Sequence, residues 1–215
     1  MKLIKEINEE VEMIVEGSGA NKQYFLEGVF LQGNIKNRNQ RMYPIDILRN
    51  EVARYTDEYI DKGRAVGELG HPSGPSINLE RVSHKILSLA QEHNNFIGRA
   101  AILDTPYGQI VKKLMEGDVK LGVSSRGLGT IEEKNGCSVV GNDFMLATAA
   151  DIVADPSAPD AFVKGIMESQ DWVYIEGTGW TSQMAEQAKK RIQKTSSRKL
   201  EEQKLVEFNK FLRSL

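Results

Sequence analysis

From residue 64 to residue 153 the chain is written as short apolar runs cut by Gly, Pro and Asn, and that rhythm leaves few folds open. The runs RAVGELG, ERVSHKILSLAQ and FIGRAAIL are brief and rich in strand formers, so they read as strands separated by turns. In RVSHKI, Val82, His84 and Ile86 alternate with polar neighbours, the period of a half-buried strand. VKLGVSSRGLGTIEE and CSVVGNDFMLATAADIVAD repeat the pattern on either side of the turn KNG. Upstream, QYFLEGVFLQ is another strand. Helices enter where prolines start them. Pro44 opens PIDILRNEVARYTDEYIDKG, with Ile45, Leu48, Val52 and Tyr55 on one face and Gly63 as its cap, while TPYGQIVKKLMEGD and PSAPDAFVKGIME read as two more.

The two ends differ from this centre. Leu3 or Ile4, Ile7, Val11 and Ile14 fall at helical spacing, so the first segment is expected to be a helix ending at the linker GSGANK. The stretch from Ser182 to Leu215 is highly charged and helical in pattern, with a break near Thr195–Ser197. The expected organisation is an N-terminal helical segment over 1–20, a compact α+β domain over 21–180 and a charged helical tail over 181–215.

Composition narrows the function. With 28 Lys+Arg against 30 Asp+Glu there is no global basic field of the kind that holds nucleic acid. The single cysteine, Cys137, allows no internal disulfide and no Cys-rich zinc site. No apolar run approaches a membrane span, and the charged start MKLIKEINEEVEMIVEG is unlike a signal peptide, so a place inside a cell is expected.

Three chemistries fail on residue type. Gly122 and Gly127 have the separation of a phosphate loop, but Leu128 and Gly129 stand where Lys and Ser/Thr are needed. The G-x-S-x-G elbow ends on Arg126 instead of glycine. GELGHPSGPS resembles part of a zinc isopeptidase motif, which needs a histidine where Leu69 stands. What survives is a serine with a histidine. A serine hydroxyl becomes nucleophilic when an imidazole accepts its proton, and the imidazole needs a third group to orient it. Ser124 lies in the Gly-flanked KLGVSSRGLG, His71 in a loop after a strand, and Asp151 closes the apolar FMLATAAD.

Taken together, NRNQRMYP, GRAVGELGHPSGPSINLERVSH, FIGRAAILDTPYGQIVKKLMEGDVKLGVSSRGLG and ATAADIVADPSAPDAFV make the chain resemble the prohead core protein proteases of T-even-type contractile-tailed bacteriophages. The resemblance spans roughly residues 24–170 and extends, more distantly, to the herpesvirus assemblins. It implies a compact, mainly antiparallel β-barrel ringed by helices, and a serine endopeptidase that cuts scaffold and capsid proteins inside the immature head. By the same resemblance His71 is the general base, Ser124 the nucleophile and Asp151 the orienting acid, in the order His, Ser, then a third residue. Assemblins carry a histidine as third member, and none follows Ser124 here. Ser125 stays open as the nucleophile and His84 as a second base. Arg126 resembles the arginine near the assemblin oxyanion site, with backbone N–H groups at Arg126 and Gly127 as oxyanion donors.

The resemblance also implies cleavage after glutamate, with Ile or Leu two positions before it and a small residue after. The chain carries that pattern at Ile14-Val15-Glu16 before Gly17, Leu114-Met115-Glu116 before Gly117, and Ile166-Met167-Glu168 before Ser169. Self-cleavage after Glu16 is expected to release the N-terminal segment. The implied partners are core scaffold proteins and the major capsid protein as substrates and further copies of the chain, with no cofactor, metal, nucleic acid or membrane. Two other classes stay open: a non-enzymatic assembly component of the prohead core, and a metal peptidase built on His71, Glu68 and His84.

Overall fold

In the computed structural model of the chain, the described residues are 1–8, 11–18, 22–37, 40–72, 74–134, 136–154, 172–175, 179–182, 187, 190, 191, 204 and 206. The expected helix PSAPDAFVKGIME, the Glu168–Ser169 pair and most of the charged tail lie outside them.

The first segment folds as strand, and this corrects the helix expected there. Lys2–Asn8 forms β1 and Val11–Glu16 forms β2. The reason is long-range. β1 pairs antiparallel along its whole length with β8 (Leu121–Gly129), from Lys2 opposite Gly129 to Asn8 opposite Val123. Leu3 and Ile4 are both buried, and each such side chain contributes about 1.5–3 kcal/mol. That outweighs a helical preference of a few tenths of a kcal/mol per residue.

The β-rich centre follows the sequence closely. β3 is Gln23–Gln32, with Tyr24, Phe25 and Leu26 and then Val29, Phe30 and Leu31 buried. The two-residue β4 (Arg41–Met42) leads to α1 (Ile45–Tyr55), which buries Leu48, Val52 and Tyr55, continues as one π-helical turn over Thr56–Ile60, and is closed by Gly63 at φ +68°. β5 (Val66–Glu68), β6 (Val82–Glu92) and β7 (Asn95–Ile102) follow. α2 (Pro106–Glu116) begins where the Thr105 hydroxyl accepts from the Gly108 N–H at 3.1 Å, an N-cap with proline at the first helical position. After β8 come β9 (Ile131–Lys134), β10 (Cys137–Val140), β11 (Met145–Ala154), and a hairpin of β12 (Trp172–Ile175) with β13 (Gly179–Ser182).

Two sheets dominate. One has the order β2-β3-β7-β6-β5, the other β1-β8-β11, and both are antiparallel throughout. They meet where Leu69, just past β5, bridges Ile152 of β11. Between them lies a core that includes Leu26, Phe30, Ile86, Ala100, Val123, Ala149 and Ile152. Where a closed barrel was expected, the ladders among the described residues form these open sheets, two smaller ones and no closed ring.

One buried carboxylate is structural. Glu51 on α1 accepts the Leu146 N–H at 2.5 Å and pairs with Arg54 at 2.5 Å, so the helix caps the start of β11.

Candidate active site

β8 is the central strand of its sheet and every residue of it is buried. Ser124 stands directly opposite Asp151 of β11, and residues facing each other in an antiparallel pair share a face of the sheet. Arg126, two residues on, belongs to the same face, and its side chain reaches Asp151. Ser125 lies between them and turns to the other face. β11 makes two bulges to achieve this: Leu146 pairs with Gly127, Thr148 with Arg126 and Asp151 with Ser124, one extra residue on β11 at each step. Bulges re-aim side chains, and the second sets Asp151 against Ser124.

His71 arrives from the loop after β5. Its Nδ1 is 3.5 Å from Asp151 Oδ2, an ion-pair distance longer than a well-formed hydrogen bond. Both ring nitrogens are shielded from solvent and have no hydrogen-bond partner among the described residues. The Ser124 hydroxyl donates a long 3.5 Å bond to the Ser125 carbonyl oxygen, and among the described residues it makes none to His71. Serine and aspartate are thus paired across the ladder, with the histidine beside the aspartate.

Burial pushes the Asp151 carboxyl up, but His71, the Arg126 guanidinium and the Glu68 backbone N–H together outweigh that and hold it below its ordinary range. Asp151 is ionised at neutral pH.

Arg126 is placed differently from its expected role at the oxyanion. Its guanidinium is fully buried: Nε donates to Asp151 Oδ2 at 2.9 Å, Nη2 to Asp151 Oδ1 at 3.3 Å and to Glu68 Oε1 at 3.1 Å, and Nη1 to the carbonyls of Gly74 at 2.7 Å and Ser76 at 3.0 Å. A guanidinium has five N–H groups, and all are committed, which leaves none for an oxyanion. Gly127 answers a packing need, since a Cβ there would sit 2.6 Å from Phe144 Cε2 and 2.7 Å from the Met145 carbonyl oxygen.

His84 is not set up as a base. Its Nε2 lies 3.0 Å from the Ala150 carbonyl oxygen, which can only accept, so this nitrogen carries the proton and Nδ1 accepts from the Ser83 hydroxyl at 2.9 Å. Burial pushes the ring down to about 4, so it is neutral at neutral pH. Glu68 is spent on Arg126 and the Asn78 N–H. Among the described residues, no three His, Cys, Asp or Glu side chains converge as a metal site would require.

Of the three glutamates expected as cut points, the two among the described residues are in different settings. Glu16 ends β2 beside Gly17, at φ +83°, and pairs with Arg99 at 2.7 Å on the exposed surface. Glu116 ends α2, where it accepts from the Tyr24 hydroxyl at 2.6 Å and from Lys113 at 2.7 Å.

Sequence reasoning missed the centrality of Glu68 and Arg126. A signal existed, because each is a charge within an apolar, Gly-flanked strand, where a charged residue is almost never buried unless paired.

A fold of two antiparallel sheets that sets a serine opposite an aspartate beside a histidine has the parts of a serine-type peptidase. The model of the prohead core protein serine protease family matches residues 6–171. The prohead core protein protease of Enterobacteria phage T4 is 35% identical over 158 residues, covering 71% of this chain and 74% of that protein. The solved structure of the bacteriophage T4 capsid assembly protease superposes with a TM-score of 0.68 at 28% identity, covering 72% of this chain and 98% of that one. The chain belongs to the prohead core protein serine protease family.

Proposed function

We propose that this chain is a serine endopeptidase that matures the phage head from inside the prohead, in the host cytoplasm, by cutting core scaffold proteins and the major capsid protein. The observation that carries the reading is the pairing of Ser124 with Asp151 across the sheet, with His71 Nδ1 3.5 Å from the same carboxylate, in a chain of this family. Ser124 attacks the scissile carbonyl, His71 takes the hydroxyl proton and later gives it to the leaving amine, and Asp151 stabilises the imidazolium between the two steps. Because the Arg126 side chain has no donor to spare, backbone N–H groups near Arg126 and Gly127 hold the oxyanion.

Cleavage follows glutamate in (Ile/Leu)-x-Glu before a small residue, and the first such bond cut is the chain's own, after Glu16. Two features support that order. Glu16 lies on an exposed strand end beside Gly17, whereas Glu116 is held in a helix terminus by Tyr24 and Lys113. The segment that would leave also contains β1, which pairs with the nucleophile strand from Val123 to Gly129. Residues 1–20 are then a removable cover, 21–180 the protease whose two main sheets form the family's barrel walls, and 181–215 a tail for docking on scaffold or on further copies.

Intact-mass spectrometry of the full chain over time, wild type beside Ser124→Ala, tests this. Loss of residues 1–16 in the wild type alone is the expected result. Equal processing of both would remove Ser124 from its role, and no processing of either in the presence of assembled scaffold would overturn the protease reading.

A further inference from the structure

Groups from three separate parts of the chain close on the Arg126 guanidinium. Asp151 comes from β11, Glu68 from β5, and Gly74 and Ser76 from the loop that begins at His71. That loop is tethered at both ends. Gly70 N–H donates to the Ile152 carbonyl at 2.7 Å, Arg81 Nη2 to the Leu69 carbonyl at 2.7 Å, and Asn78 N–H to Glu68 Oε1 at 2.9 Å. Among the described residues the His71 ring nitrogens make no well-formed hydrogen bond, Nδ1 only approaching Asp151 Oδ2 at 3.5 Å. Its position relative to Asp151 is therefore inherited from the loop, and the middle of the loop rests on Arg126.

We propose that Arg126 and Glu68 are positioning residues for the catalytic pair: Arg126 moors the His71 loop and orients Asp151, and Glu68 balances the arginine so that Asp151 keeps its negative charge for the imidazolium. This rests on the serine-protease reading given above. Arg126 against Asp151 alone is a neutral buried pair and offers a protonated His71 little attraction. With Glu68 bonded to the same guanidinium at 3.1 Å the set carries one net negative charge. Glu68 Oε2 has Arg81 Nε 3.5 Å away, and although that nitrogen is shielded, the Arg81 side chain as a whole is 38% exposed, so its charge offsets Glu68 only in part. The other titratable groups that face Asp151 are His84 from β6, neutral through burial, and the Tyr55 hydroxyl from α1, which burial pushes up to about 12. Neither adds charge at neutral pH. Glu68 also fixes Asp151 directly, since its backbone N–H donates to Oδ1 at 3.0 Å.

The test is steady-state cleavage by the full chain of a peptide carrying Ile-Val-Glu-Gly, measured across pH for the wild type, Glu68→Gln, Arg126→Lys and Ser124→Ala, with circular dichroism confirming the fold. Glu68→Gln keeps the shape and the acceptor for Asn78 and Arg126 but removes one negative charge. We expect kcat to fall with KM nearly unchanged, and the acid limb of kcat/KM to move to lower pH. Arg126→Lys keeps the charge but cannot reach five acceptors. Its kcat should fall about 100-fold, as for a misplaced catalytic group, with the acid limb in place. Wild-type kcat and an unmoved limb in Glu68→Gln, or wild-type kcat in Arg126→Lys, would overturn the proposal while leaving the protease reading intact. So would failure of both variants to fold, since the network would then be structural only. Activity retained in Ser124→Ala, or a wild type that cuts nothing, would instead overturn the reading beneath it.

Discussion

Ser124 and Asp151 face each other across the ladder between β8 and β11, and a bulge in β11 is what brings them level. The opposition decides more than a distance does. It assigns the two serines of VSSRG to different faces, and only Ser124 shares a face with the aspartate and with the arginine that grips it.

Asp151→Asn should therefore separate chemistry from binding. The amide matches the carboxylate in shape but cannot stabilise an imidazolium, so kcat should drop by about 10³–10⁴-fold with a small change in KM. It also brings an amide N–H₂ or a neutral oxygen against Arg126 Nε, so the melting temperature should fall as well. Kinetics on a Glu-Gly peptide and a thermal melt check the two effects separately.

Stability should depend on His84 over an acidic window. In the folded chain this buried imidazole is pushed from 6.5 to about 4. The unfolded chain thus takes up the proton first. The stabilisation is present above 6.5 and is lost as pH falls towards 4, and across that span it amounts to about 3 kcal/mol. Asp151, also held low, loses its contribution at still lower pH. Urea unfolding of the wild type across this range should show the decline, and His84→Gln should flatten it. A wild-type profile that stays level would contradict the burial of a neutral ring.

Gly67→Ala should weaken the fold next to the site. A Cβ at this position would overlap the Ala150 carbonyl oxygen and the His84 ring, both of them fixed. β5 would have to move off β11, taking Glu68 with it. Overpacking of this kind costs about 1–3 kcal/mol, or about 2–4 °C in melting temperature for each kcal/mol in a chain of this size. Differential scanning calorimetry measures it directly, and an unchanged melting temperature would mean that the strands can part without cost.

Much of this architecture is local and can be read from residue order. QYFLEGVFLQ became β3 with the same bounds, because its aromatic and β-branched residues suit a pleated surface buried on both sides. Pro44 and the Thr105-Pro106 pair started the helices they were expected to start. The N-terminal segment was illegible for a different reason. Its apolar residues fit a helical period, yet its partner, β8, lies more than a hundred residues away, and burial of Leu3 and Ile4 against it overrides local preference. The tether on His71 was hidden in the same way.

What the sequence determined by itself is a β-rich class with two helices, the family, and the identity of His71, Ser124 and Asp151 as candidates, since these depend on residue types and on spacing along the chain. Only the tertiary structure decided that Ser124 and Asp151 share a face, that the N-terminal segment begins as a strand paired beside the one that carries the serine, and that Arg126 serves the carboxylates and the histidine loop with all five of its N–H groups. The physical reason is that a buried guanidinium must find an acceptor for each N–H, and the acceptors it found, at Glu68, Gly74, Ser76 and Asp151, are neighbours only once two sheets have packed.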